Sequence, residues 1–391
     1  MSTSPATSAA RSKGRFFRAN LWLHRWASLV ATPFFLVLCI TGAILIFHGE
    51  IDEALGYVPA AERAGEAAPK PLADIVASAQ KQLPELRPIS VFVDIEHPER
   101  TVVGMAPLTA TKLEEGKPYF YNSYSGEPLG TTDFEKTPTG FILELHANWF
   151  AGFFGQLFGG LIALLVLISL ISGVVVYAPY VRKLLFGMLR RGRGTRLVQL
   201  DLHNFIGAVV LGWALVVTIT GVALALGGVA LAIWQSTELK EMAAKTPVAA
   251  DAVPLVLTAL PVTIDQAVTA AQAALPDKRP YFLIWPGTDF SSPRHYMILM
   301  SGTEPYDERL FDVALVDAGS GQLADARPLP LYLKAILISE PLHFGDYGGL
   351  PLKLLWVASS LLTLFITGNG AWLWWARRRR AVARTATAVT P

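Results

Sequence analysis

Four uncharged, apolar runs govern what this chain can become: residues 26–49, 145–181, 202–237 and 354–376, each rich in Leu, Ile, Val, Phe and Ala. About 20 such residues in helix cross a bilayer core, so every run is long enough to span and the two longer ones leave room for interfacial ends. Only 16% of the 391 residues are charged, below the roughly one quarter usual in soluble domains, and 52% are hydrophobic. A cleaved signal peptide is the competing reading of the first run. That run exceeds a typical signal core, however, and no small-residue cleavage pattern follows Phe47 and His48. The single cysteine, Cys39, lies inside it, which excludes an internal disulfide and a cysteine metal site. A formal net charge of +2 gives no basic footprint, so membrane lipid is an expected partner and nucleic acid is not.

The charge is sorted along the chain. Arg11, Lys13, Arg15 and Arg18 precede the first run, and Arg182, Lys183, Arg190, Arg191, Arg193 and Arg196 lie between the second and third. Arg377, Arg378, Arg379, Arg380 and Arg384 follow the fourth. Segment 50–144 instead carries 8 basic against 16 acidic residues, and segment 238–340 carries 8 against 13. Basic residues near helix ends stay in the cytoplasm. Both termini are therefore expected inside, with two acidic domains outside.

The chain also reads as one unit written twice. Leu23-His24 leads to Thr41-Gly42, and Leu202-His203 leads to Thr220-Gly221, an interval of 18 residues from His to Gly in both. Eighteen residues make five helical turns, so each His shares a face with its Gly, about 27 Å along the axis. Leu145-His146 leads to Ser172-Gly173 and Leu342-His343 to Thr367-Gly368, a looser match of 27 and 25 residues. The outer segments repeat as well, with helical periodicity over 71–82 and 263–275 and β-branched stretches near 88–94, 100–106, 281–285 and 295–300. Ser-Gly hairpins over 121–130 and 313–325 complete each copy. The expected fold is an integral membrane α-helical protein, a four-helix transmembrane bundle of two parallel repeats with two small α+β outer domains. Its expected boundaries are a basic N-terminus 1–20, helix 21–48, outer domain 49–144, helix 145–180, basic linker 181–201, helix 202–236, outer domain 237–341, helix 342–376 and tail 377–391.

Histidine at the edge of a membrane span marks a site by default. The repeat pairs His24 with His203 at the inner ends of their spans and His146 with His343 at the outer ends. Two imidazoles facing each other across a bundle are a standard way to hold haem iron in six-coordination. The bland alternative is that these histidines anchor helix ends. Two haem b groups are expected, with Gly42, Gly221, Gly173 and Gly368 as helix-face positions that leave room for a flat macrocycle. Covalent attachment is excluded because no Cys-x-x-Cys-His occurs. His48 remains an alternative outer ligand or a group near the substrate, while His97 and His295 read as solvated surface residues. Trp213 is a candidate stepping stone between the two levels, set about 35 Å apart by helix rise, and a packed aromatic otherwise.

The segments LHRWASLVATPFFLVLCITGAIL (23–45), LHANWFAGFFG, DLHNFIGAVVLGWALVVTITG (201–221) and LHFGDYGGLPLKLLWVASSLLTLFITG (342–368), with SYSGEPLG and DAGSGQLAD, resemble the membrane proteins with PepSY-associated transmembrane helices. The resemblance runs from about residue 20 to 376 and rests on motif order more than on any one motif. It implies PepSY-like periplasmic domains in a bacterial inner-membrane oxidoreductase similar to ferrioxamine-type siderophore reductases. It carries haem ligation onto His24, His203, His146 and His343. Some relatives have a cytoplasmic flavin and nicotinamide reductase domain, whereas here only 15 residues follow Ala376. Electrons are then expected from quinol or a separate cytoplasmic reductase, and a ferric siderophore is expected to dock near Trp149, Phe150, Asp346 and Tyr347. These four read equally as an interfacial aromatic belt. A haem conduit to another periplasmic acceptor and a non-redox PepSY binding or regulatory protein are the competing functions.

Overall fold

The computed structural model describes residues 5–62, 68–93, 97–181, 187–246, 255–304 and 307–387. Of the basic positions named above, Arg182, Lys183 and the side chains of Arg11, Lys13, Arg380 and Arg384 lie outside the described residues. In chain order the first half holds α1 (Pro5–Leu45), α2 (His48–Ala54), α3 (Leu72–Gln82), β1 (Leu86–Val93), β2 (Arg100–Pro107), β3 (Lys117–Asn122), β4 (Pro128–Thr131), α4 (Pro138–Leu143) and α5 (Gly152–Val181). The second holds α6 (Thr195–Ala225), α7 (Gly227–Ser236), α8 (Glu238–Ala244) and α9 (Ile264–Ala274). Strands β5 (Arg279–Ile284), β6 (His295–Ser301), β7 (Asp312–Asp317) and β8 (Leu323–Pro328) follow, then α10 (Leu331–Phe344) and α11 (Gly349–Thr387).

Two compact units result, one of residues 1–48, 141–226 and 339–391 and the other of 49–140 and 227–338. The first is helical. Four stretches in it, Gly14–Leu45, Gly152–Val181, Thr195–Ala225 and Asp346–Arg379, are long and apolar enough to cross a membrane. The chain is a helical membrane protein. Helix α1 packs on α5 and α11, and α6 packs on the same two, so α1 and α6 occupy one diagonal of the bundle.

The helices depart from the expected boundaries at three places. The second run begins as a π-helical turn, Glu144–Asn148, and α5 starts only at Gly152. The third run breaks after Ala225, where α7 restarts at Gly227. The chain around His343 belongs to α10 rather than to the fourth membrane helix, because Gly345 and Gly349 take left-handed backbone between them.

The second unit overturns the expectation of two separate outer domains. All eight strands form one antiparallel sheet in the order β4-β3-β2-β1-β5-β6-β7-β8. The seam pairs Ser90 with Ile284, Val91 with Leu283 and Phe92 with Phe282. Each four-stranded half alone would leave a long apolar edge unpaired, and the seam consumes both edges. Helices α3 and α9 cover one face, burying Ile75, Val76, Ala79, Ala267 and Ala271 against Val91, Val103, Leu283 and Ile298. Asp265 of α9 accepts from Leu72 N and Ala73 N at 3.0 and 2.7 Å, capping the start of α3 across the halves. Leu283→Ala, a fully buried truncation costing about 2–5 kcal/mol, should therefore lower amide protection in β1–β4 as well as β5–β8 in hydrogen exchange. Loss confined to β5–β8 would mean two independent domains.

Candidate functional site: two histidine pairs in the helical unit

The structure brings the four histidines into the two expected pairs. The His24 and His203 ring centroids lie 6.4 Å apart, and those of His146 and His343 lie 6.3 Å apart. Each imidazole packs over a glycine of a neighbouring helix. A Cβ built at Gly173 would stand 3.0 Å from His24 Cε1, one at Gly42 would stand 3.1 Å from His146 Cε1, and one at Gly221 would stand 3.3 Å from His343 Cε1. The fourth seat is Gly370, whose Cβ would lie 3.3 Å from His203 Cε1, whereas a Cβ at Gly368 meets nothing within 4 Å. Gly370 lies 27 residues after His343, the same interval as Gly173 after His146, so both intervals of the repeat are equal once this seat is used.

These seats also set the depth of the two levels. His146 reaches back to Gly42, 18 residues along α1 from His24, so the pairs stand about 27 Å apart along the axis. The larger figure from sequence placed His146 near the level of His48, at the outer end of span one. The π turn folds His146 inward instead.

The hydrogen bonds fix one tautomer for all four rings. His24 Nδ1 lies 2.8 Å from the Ser169 carbonyl and His203 Nδ1 lies 3.1 Å from the Ile366 carbonyl, and a carbonyl only accepts. His146 Nδ1 lies 2.7 Å from Thr41 Oγ1, and His343 Nδ1 lies 3.0 Å from Thr220 Oγ1. Those hydroxyls already donate to the Val37 and Val216 carbonyls, both at 2.8 Å, so they too accept from the imidazoles. Every Nδ1 therefore carries the proton and every Nε2 keeps its lone pair, the arrangement of a metal-ligating histidine oriented by an outer partner. The Thr-Gly dipeptides of the repeat thus supply a ring seat and a ring acceptor together. The sequence held that signal without its meaning.

The remaining candidates fall elsewhere. His48 is exposed, with Nδ1 donating to the Leu45 carbonyl at 2.9 Å and its ring 5.8 Å from Phe344. Phe150 and Tyr347 are 55% and 46% exposed, and Asp346 lies 3.8 Å from Lys353. Trp149 turns inward, its ring 5.8 Å from Phe34 and 5.5 Å from Phe158, with a buried indole N–H that has no partner. Phe34 is ten residues from His24 and eight from Gly42, so this cluster sits between the two levels, at the depth where Trp213 was the expected aromatic. Trp149 and Phe150 are the two non-glycine residues with positive φ among the described residues, at 52° and 55°. Left-handed backbone costs such residues about 1–2 kcal/mol each.

Outside this unit, His97 is 40% exposed and lies 3.3 Å from Glu99. His295 corrects the sequence reading: it is 2% exposed at the start of β6, where it begins a buried central strand and bonds Ser292. Burial pushes its imidazole below the usual histidine value.

Two imidazoles are too few ligands for a bare metal ion, and no group of three or more His, Cys, Asp or Glu able to hold one occurs among the described residues. A metal held by either pair would have to bring its own further ligands.

Two comparisons bear on this arrangement. The family model described as the PepSY-associated TM region matches residues 21–377. An uncharacterized protein of Pseudomonas aeruginosa is 26% identical over 261 residues, covering 61% of this chain and 64% of the relative, so the chain spans less than two thirds of that relative's length.

Proposed function

The chain belongs to the PepSY-associated TM region family, and from that premise we propose that it is a di-haem b oxidoreductase of the bacterial inner membrane that reduces ferric siderophores on the periplasmic side. The observation that carries the reading is the paired histidines with glycine seats and free Nε2 lone pairs. His24 with His203 and His146 with His343, whose ring centres lie 6.4 and 6.3 Å apart, are the residues that would hold the two groups. Arg196 adds to the fit at the first pair: it lies seven residues before His203, hence on the same helix face, and its buried Nε has no partner. That cation suits the carboxylate of a haem propionate.

When bound, the two haems would supply one-electron carriers, one at the His24–His203 level and one at the His146–His343 level. The chain's own work is positional. His24 and His203 hold one group from opposite corners of the bundle, and His146 and His343 hold the other. Ser169, Ile366, Thr41 and Thr220 fix ring orientation, and the apolar helices exclude water. Arg15, Arg18, Arg191, Arg193 and Arg377 lie on the flanks of the His24–His203 end, which supports placing that end and both termini in the cytoplasm. Quinol or a separate cytoplasmic reductase would donate there. At the other end Phe150, Tyr347 and Asp346 remain available to a ferric siderophore, and Trp149 is withdrawn into the bundle. Ferric iron is a hard cation held tightly by siderophore oxygens, and one added electron releases it as the weakly held ferrous ion.

Thr41→Val keeps the shape of the side chain but removes the acceptor for His146 Nδ1. Loss of such an outer partner typically weakens metal affinity 10–100-fold. Titration of haem into the apoprotein should show that loss at one of two sites. The function itself is tested by adding ferric siderophore to the reduced protein in detergent without oxygen. Reoxidation of the Soret band with formation of ferrous iron is expected. A protein that stays reduced would defeat the reductase, and a colourless one would favour a non-redox binding role.

A further inference from the structure

The turns that carry His146 and His343 do the same job with different backbone chemistry. After His343 the chain reverses through Gly345 and Gly349, with φ of 81° and 56°, where glycine is unstrained. That turn is braced from α11: Trp356 Nε1 donates to the Leu342 carbonyl at 3.2 Å, and a Cβ at Gly345 would lie 2.9 Å from the Trp356 ring. After His146 the chain makes a π-helical turn and then places Trp149 and Phe150 in the same left-handed region without glycine. Both π turns and strained non-glycine residues concentrate at working sites.

The Trp149 ring is what holds this turn. It is wedged against Phe34 and Phe158, whereas Phe150 is exposed and touches Phe141 at 5.0 Å between centroids. Strain of this kind is relieved only by movement of the segment that bears it, and His146 is part of that segment. The His146 side chain makes one hydrogen bond, to Thr41, and its ring packs over Gly42. His24 and His203 lie inside long regular helices and have no such release.

We propose that His146 is the exchangeable member of its pair, released by the strained Trp149–Phe150 turn so that a small neutral ligand of the carbon monoxide class can take its place on the ferrous iron. This inference rests on the di-haem reading. The exchange is a ligand substitution: the iron–Nε2 bond breaks, the iron–carbon bond forms, the imidazole leaves neutral, and no electron changes hands. His343 stays bound, so one of the two haems responds.

The test is carbon monoxide binding to the dithionite-reduced, haem-loaded protein in detergent, read in the Soret region, with hydrogen exchange over 144–151 as a second readout. The native protein should shift one haem of two. Phe150→Gly supplies a residue at ease with φ 55° and removes an exposed ring whose contact is Phe141, so it should slow carbon monoxide binding roughly 5–30-fold and raise protection of the turn. Trp149→Ala keeps a side chain at the strained position but removes the wedge, so it should speed binding by a similar factor. Two haems per chain with no carbon monoxide shift, or equal rates in the native protein and Phe150→Gly, would overturn the proposal and leave the di-haem reading standing. Absence of haem would end both.

Discussion

His203→Ala is expected to leave one haem per chain where two are expected in the native protein. The ring it removes stands 6.4 Å, centre to centre, from His24, and its Nδ1 is committed to the Ile366 carbonyl. Alanine provides neither ligand nor orienting bond, and no third histidine is within the pair to replace it. The other pair takes its ligands and acceptors from separate residues, so its Soret band and its potential should stay unchanged. His343→Ala should give the converse protein, with the His24–His203 group retained. Loss of both haems from either variant would show that the two pairs do not act as separate sites. Full retention would remove the histidine in question from the ligand set.

Gly370→Val should be nearly as damaging as His203→Ala, and Gly368→Val should not. A Cβ at 370 already stands 3.3 Å from His203 Cε1, closer than most real contacts, and valine adds two methyl groups to that tight contact. Alanine at 370 should be milder, since a shift of a few tenths of an ångström would accommodate it. At 368 a Cβ meets nothing within 4 Å. Haem per chain and the Soret maximum of the two valine variants measure the difference directly. Equal effects would mean that the fourth imidazole sits elsewhere.

The comparison of 368 with 370 illustrates what sequence made legible and what it did not. Helix existence was plain because apolar runs of this length have few alternatives in water or lipid. The histidine pairs were plain because the repeat places equivalent residues about one axis. Helix ends were not, since they depend on backbone φ at Trp149, Phe150, Gly345 and Gly349, which hydropathy does not record. The choice of Gly368 followed the Thr-Gly spelling of the motif, while ring packing follows spacing, and the 27-residue interval selects Gly370. In the sheet unit the strands were readable from short β-branched stretches and the turns from their Ser-Gly pairs. The β1–β5 seam was not, because backbone groups make it and any pair of apolar edges would serve. His295 was misread because its burial comes from its place on β6 in that sheet.

The acidity of the sheet unit bears on the proposed substrate. Both segments of the sheet unit are acidic, so if they face the periplasm they would favour neutral or cationic ferric complexes over anionic ones. Raising the ionic strength should narrow that preference.

A pyridine haemochrome assay on the purified, quantified protein counts the haems that His24, His203, His146 and His343 are proposed to hold. Two haem b per chain are expected, and a protein that carries none would overturn the di-haem reading.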